Sequence, residues 1–401
     1  MRRLDLPDAL ILERFRSFST RVNLPLRPIT LVYGANNSGK SALIRALALL
    51  GASLEPAPRG AITLPEPAFA KVGPRELAWQ GVAADYRWLV GLRWEEAEVR
   101  EYVATINPSA EGDTPITAIE VLRRGAERWR ARRMDDALTD PREDAPLHFE
   151  GLIPAAETTS LTDLREQLEA LRGRVRWMSG IRPPVPRLIS GAPGRGDRFT
   201  NGEDVPNLLV EDEALREEVA AFYTRLDPPR SLMRHEVPHL GYSLSMNPEG
   251  RPTWRVQLAD TGEGMAQVLP VLAYAVLTAR HGDILAVEQP ENHLHPTAQS
   301  QLAEFFCALT QQPTGPRFVL ETHSRVFLLA MQRAVAMGLL PAEYVQIVWV
   351  DQESSGESTL TVVPLQANGR MGDGWPPSAL AEDFRLAREL LSASHSSVDV
   401  Q

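Results

Sequence analysis

Short apolar runs bounded by turn-forming residues alternate along the chain with longer stretches in which apolar residues recur every three or four positions. Residues 28–33, 284–288 and 317–321 read as buried strands, whereas 41–50, 264–277, 296–309 and 326–337 read as helices, the third opened by Pro296. Residues 9–18 read as an edge strand and turn, 86–93 and 254–258 as strands, and 211–223 as a helix. Two strands, 344–350 and 359–364, and a helix over 378–391 close the chain. This alternation predicts an α/β fold built on a mixed, largely parallel sheet.

The pattern is weakest in two places. Proline and glycine interrupt it over 52–74, and residues 106–205 carry only a hairpin through 116–133 and a helix through 161–175. The chain therefore divides into the N-terminal half of a core (1–105), an inserted lobe (106–205), the C-terminal half of the core (206–340) and a small α+β extension (341–401). No heptad pattern is sustained, so the lobe is not a long coiled-coil arm.

Composition narrows the class. At 401 residues and 43% hydrophobic the chain can bury a large core. Its single cysteine, Cys307, excludes a disulfide framework, and no apolar run approaches the roughly 20 residues that span a bilayer. A cytoplasmic protein without a membrane partner is expected. A net charge of −10 argues against a globally basic nucleic-acid protein. Only Lys40 and Lys71 are lysines in an arginine-rich chain, so lysine at 40 reflects a local requirement.

That requirement is legible in Gly34-Ala-Asn-Asn-Ser-Gly-Lys-Ser41, which lies between a buried strand and a helix. Glycines at this spacing let backbone N–H groups of Gly34, Asn36, Asn37, Ser38 and Gly39 approach phosphate oxygens at a helix N-terminus. Lys40 then suits the β- and γ-phosphates of ATP, and Ser41 suits Mg²⁺. The strand 284–288 ends in Glu288, a carboxylate for the Mg²⁺ shell. A glycine-rich turn, Asp260-Thr-Gly-Glu-Gly-Met-Ala-Gln267, opens a helix with Gly262 and Gly264 and offers a second phosphate site. Glu321-Thr-His-Ser324 places His323 at a strand end, where it can sense a γ-phosphate. His293 and His295 form an HxH pair without further zinc-like ligands, so capping beside Pro296 or a protomer contact is the more economical role. The run Arg123, Arg124, Arg128, Arg130, Arg132 and Arg133 around Trp129 reads as a solvated face neutralised by Glu127, Asp135 and Asp136, with nucleic-acid binding as the alternative.

These four ordered motifs resemble the OLD-like branch of ABC-type AAA-family ATPases, which recurs in bacterial anti-phage systems; residues 180–187 and 369–376 extend the match. The resemblance implies an ABC-type ATPase core, ATP and Mg²⁺ as cofactors, Ser41 and Glu288 on the metal, and His323 as the γ-phosphate switch. It also implies a homodimer, or a larger assembly of dimers, with Gly262 and Gly264 meeting the nucleotide of the opposite protomer. The position after Glu288, commonly a second carboxylate in hydrolytic relatives, is Gln289 here. An amide cannot accept the proton from water, so slow hydrolysis is expected, with Gln289 orienting water or Glu291 supplying the base. Residues 340–401 are too short for the nuclease domain of OLD nucleases, so no intrinsic nuclease is expected. The expected role is a switch that senses a DNA or phage-derived trigger and controls a separate effector protein, such as a nuclease. A nucleotide-locked scaffold and a DNA-repair ATPase are the rival readings.

Overall fold

The computed structural model describes residues 6–376, apart from 58, 82–84, 135–136, 192–195 and 252, together with residue 389. Its central sheet has the order β12 (Phe199–Thr200), β11 (Val175–Met178), β15 (Ile284–Glu288), β16 (Arg317–Glu321), β3 (Ile29–Gly34), β17 (Val345–Gln352) and β18 (Ser358–Pro364). All neighbours run parallel except β17 and β18. Every residue of β3 and β15 is buried, as a parallel sheet covered on both faces requires.

A second sheet is antiparallel throughout. Its order is β2 (Val22–Pro25), β1 (Ala9–Glu13), β4 (Trp88–Arg93), β5 (Val99–Ile106), β6 (Ile116–Arg123), β7 (Trp129–Met134) and β8 (Ala137–Thr139). Helix α1 (Lys40–Ser53) shares one core with this sheet, with α2 (Thr162–Glu169) and with one face of the parallel sheet. The other face carries α3 (Val205–Glu211), α4 (Glu213–Thr224), α5 (Glu263–His281), α6 (Pro296–Thr310) and α7 (Arg325–Ala336) in a second core. Two hairpins complete the chain: β9 (Phe149–Glu150) with β10 (Ile153–Pro154), and β13 (Arg230–Val237) with β14 (Gly241–Pro248).

Strand alternation decides which side chains meet α1. Ile284, Ala286 and Val319 lie in the α1 core, while Leu285, Val287, Phe318 and Leu320 lie in the other. The same period of two turns the strand-end residues Glu288 and Glu321 toward α1.

The strands expected at 28–33, 284–288 and 317–321 and the helices α1, α5, α6 and α7 stand where the apolar pattern places them. Three expectations differ. Residues 254–258 make no strand, only the bridge Gln257–Ser245 before a turn at Leu258–Asp260. The β13–β14 hairpin was not anticipated, because Leu232 is the one fully buried residue of β13 and no apolar alternation marks it. The helix expected through 161–175 ends at Glu169, and Val175 already begins a strand of the parallel sheet. The segment read as an inserted lobe supplies β6–β8 to one sheet and β11 and β12 to the other, and the C-terminal segment places β17 directly beside β3. The helix expected over 378–391 lies, but for residue 389, outside the described residues. Among the described residues no helix is long and apolar enough to cross a membrane.

Candidate functional site

Strand β3 stops at Gly34 and α1 starts at Lys40, so the intervening loop must reverse within five residues. It does so through backbone that side chains resist: Asn37 has φ 64° and Gly39 has φ 101°. A side chain at Gly39 would collide with the Ser17 hydroxyl, which explains the glycine. Ala35, Asn36 and Asn37 are exposed, while Ser38 is buried and its carbonyl accepts from the Ser358 hydroxyl at 2.7 Å. The N-terminal strand-to-helix loop is therefore braced by the start of β18.

Lys40 is 4% exposed, and its Nζ donates to the Ala35 carbonyl at 2.6 Å, which folds the side chain back along the loop. Burial lowers its pKa, opposed by the charge of Glu321. Ser41 and Arg45 are four apart and share a face of α1. That face meets the two acids. The Ser41 hydroxyl donates to Glu321 Oε1 at 3.0 Å, and Arg45 makes a bidentate pair with Glu288 through Nε at 2.6 Å and Nη2 at 3.0 Å. Glu288 and Glu321 are register partners across β15 and β16.

Beside Lys40 and Ser41 opens a groove of about 670 Å³, walled by Arg16, Trp79 and Gln352, a size suited to a nucleotide. None of Gly262, Gly264 and the rest of the glycine-rich turn lines it.

Burial and the neighbouring Glu288 carboxylate push the Glu321 carboxyl up to about 7. A carboxyl whose folded pKa exceeds its unfolded 4.5 contributes stability that is complete below the unfolded value and is lost as pH rises through about 7. Thermal melts between pH 5 and 8 should therefore show stability falling with pH, by roughly 3 kcal/mol at most from this group. Glu321→Gln should flatten that slope, and a variant with the wild-type slope would refute the assignment.

Gln289 follows Glu288 in left-handed backbone, φ 45°. Its N–H donates to the Glu321 carbonyl at 2.8 Å, and its side-chain Oε1 accepts from Asn292 Nδ2 at 2.9 Å. Arg182 is 4% exposed and donates through Nη2 to the carbonyls of Glu288 and Gln289 at 2.8 and 3.1 Å. Burial lowers its pKa to about 10, so it remains charged at neutral pH. Glu291 is 7% exposed, and its Oε1 accepts from the Thr322 hydroxyl at 2.6 Å and the His323 N–H at 2.8 Å. It thus ties the loop after β15 to the loop after β16. His323 keeps part of its surface in solvent, and the partial desolvation of its ring, followed by the Lys40 charge, lowers its pKa, which favours the neutral imidazole at pH 7.

The glycine-rich turn becomes the N-terminus of α5, with Gly262 as its exposed first cap. Gly264 is buried where a Cβ would strike the His293 carbonyl, and His293 Nδ1 lies 3.4 Å from Glu263. The turn therefore packs on the loop that follows Gln289. His295 caps α6, its Nδ1 accepting from the Thr297 N–H at 3.4 Å.

Four arginines of the run, Arg123, Arg124, Arg128 and Arg130, pair with acids outside it. Arg123 holds Asp163 at 2.5 and 2.8 Å, Arg128 pairs with Glu101 and Glu120, Arg130 with Glu120 at 3.0 Å, and Arg124 with Glu96 at 3.6 Å. Asp135 and Asp136 lie outside the described residues. Trp129 is 6% exposed and packs in the core, so it offers no face to a base. Sequence reasoning did not single out Arg45, Arg182 or Glu321 as site residues, because each acts through a partner more than 100 positions away. The only local signal was the acid at the end of the apolar run 317–321.

Residues 29–330, most of the chain, match the family model described as "AAA domain, putative AbiEii toxin, Type IV TA system". Two solved structures share the fold. One is an Smc head bound to the C-winged helix domain of ScpA, 14% identical, covering 90% of this chain and 98% of that chain at a TM-score of 0.53. The other, from Pyrococcus furiosus, is an Smc head domain with an extended coiled coil bound to the C-terminal domain of ScpA, 14% identical, covering 96% of this chain and 99% of that chain at 0.51. The chain, with its mixed, largely parallel sheet, thus shares the fold of these Smc heads. No curated protein matches the chain.

Proposed function

The chain belongs to this AAA-domain family and has an ABC-type ATPase core, and from that premise we propose that it binds ATP with Mg²⁺, hydrolyses it slowly and works as a nucleotide-dependent dimerisation switch. The observation that carries the reading is the meeting of the phosphate-binding loop with two strand-end acids: Ser41 touches Glu321, and Arg45, one turn on, holds Glu288. Glu321 Oε2 is buried without a partner in the protein, as expected of a group that a cation would reach.

In this reading the N–H groups of Gly34, Asn36, Asn37, Ser38 and Gly39 would cradle the phosphates, Lys40 would pair with the β- and γ-phosphates, and Ser41 together with a strand-end acid, the role that motif order gives to Glu288, would hold Mg²⁺. Mg²⁺ would supply neutralisation of the phosphate charge. His323, whose N–H Glu291 holds, would sense the γ-phosphate. Gln289 orients water by hydrogen bonding but leaves its proton without a strong acceptor.

The exposed start of α5 lies apart from the groove of its own chain. Gly262 and Gly264 would complete the site on a second copy, so that two protomers enclose two nucleotides. Because ATP favours only the state that contacts its γ-phosphate from both sides, closure can be coupled to a partner through differential affinity. The motif resemblance to OLD-like ATPases supports a cytoplasmic role in anti-phage defence, with a separate effector, such as a nuclease, under control of a DNA or phage-derived trigger. A nucleotide-locked scaffold is the second reading, favoured by the engagement of Gln289 with Asn292.

The test is sedimentation of the full chain with and without a non-hydrolysable ATP analogue. The analogue should shift the chain to a dimer or a multiple of dimers. An identical assembly state under both conditions would sink the switch.

A further inference from the structure

We infer that Glu321, more than Glu288, is the protein carboxylate that receives the divalent cation at this site, an assignment that rests on the nucleotide reading above. Glu288 has both oxygens taken by Arg45, at 2.6 and 3.0 Å, so its charge is already matched within the chain. A planar guanidinium in this two-point geometry is the strongest partner a carboxylate finds among side chains. Glu321 stands in the adjacent register position and has no such partner. Its Oε1 accepts only the Ser41 hydroxyl at 3.0 Å, and its Oε2 is buried and unpartnered.

The residue is 4% exposed, so water does not serve the second oxygen freely. An unserved carboxylate oxygen in the interior is costly unless something positive reaches it. The cations nearby are committed elsewhere. Arg45 is spent on Glu288, and Lys40 points its ammonium at the Ala35 carbonyl. What remains is a contiguous pair of hard oxygen donors, the Ser41 hydroxyl and the Glu321 carboxylate, at the start of α1.

Such donors suit Mg²⁺ or Mn²⁺ rather than a soft metal. Among the described residues no group of three His, Cys, Asp or Glu could hold a metal unaided. The remaining positions therefore fall to phosphate oxygens and water, which makes cation and nucleotide binding mutually dependent. Glu288 acts one step out, fixed by Arg45.

Fluorescent mant-ATP titrations of the full chain, in EDTA and in Mn²⁺, give the factor by which the cation strengthens nucleotide binding. Glu321→Gln should lower that factor by at least the roughly 10–100-fold that loss of an outer-shell partner costs. The double variant Arg45→Gln/Glu288→Gln removes the ion pair as a unit and should lower it by less. Retained mant-ATP binding in EDTA reports an intact loop in each variant, the factor is taken relative to that variant's own metal-free affinity, and Glu321→Asp should retain more of the factor than Glu321→Gln. An unchanged factor in Glu321→Gln, or an equal or larger loss in the double variant, would overturn the assignment. Failure of the wild-type chain to bind mant-ATP under either condition would instead overturn the nucleotide reading.

Discussion

Replacing Lys40 with alanine is expected to weaken ATP binding by about 100-fold and to cut turnover by about 1,000-fold. A charge-assisted hydrogen bond to a phosphate contributes roughly 1.5–3 kcal/mol, and each 1.4 kcal/mol is tenfold in affinity. The extra loss in turnover arises because phosphoryl transfer spreads charge onto oxygens that this ammonium faces, and removing one such donor costs about 10²–10³-fold. The fold should survive. The side chain's hydrogen bond runs to one carbonyl, Ala35, within its own loop, and the residue sits at the first position of α1, where alanine is well accommodated. Calorimetric titration of the wild type and the variant measures the effect. Wild-type affinity in Lys40→Ala would remove the nucleotide from the site, whatever else the chain does.

Gln289→Glu is expected to raise the steady-state rate of phosphate release by about 100-fold, because a positioned general base contributes about 10²–10⁴-fold and an amide contributes none of it. The backbone at 289 is held independently of its side chain. Its N–H bonds the Glu321 carbonyl, and Arg182 clamps the carbonyls of Glu288 and Gln289, one on each side of the Gln289 Cα. A glutamate can therefore keep the left-handed φ of 45° and still accept from Asn292. The buried Arg182 cation offsets the added negative charge beside Glu288. Glu291, the other acid of this loop, is buried at the root of His323 with Thr322 and the His323 N–H on one oxygen, which favours a positioning role over proton transfer. An unchanged rate in Gln289→Glu would mean that the missing carboxylate does not limit turnover, and the scaffold reading would then gain.

Much of the parallel core was legible because its signals are local. A buried strand such as Ile29–Gly34 is a run of apolar residues, and α1, α5, α6 and α7 carry apolar residues at helical spacing, with Pro296 marking one start. The β13–β14 hairpin was invisible for the converse reason. Arg230, Arg234, His235 and Glu236 occupy a strand that buries little of itself, so its extended form is set by the pairing with β14 rather than by its own pattern. Likewise, nothing in residues 345–352 announces that they lie beside β3, since a parallel neighbour 316 positions away leaves no mark on local spacing.

The amino-acid sequence alone determined the loop from Gly34 to Ser41, because eight contiguous residues suffice to set a turn, a helix start and a lysine at its mouth. It also determined the substitution at Gln289, a fact of composition at one position. Tertiary structure alone decided what those residues face. Glu288 is spent on Arg45 and Glu321 is left to Ser41, because the β15–β16 register and the packing of α1 bring together groups 243 and 280 positions apart. Arg123 and Arg128 are paired for the same reason: Asp163 on α2 and Glu101 on β5 reach them only once the helix and the sheet have packed. Spacing along a chain specifies periodicity, but which charge meets which is fixed only when the strands and helices that carry them are packed.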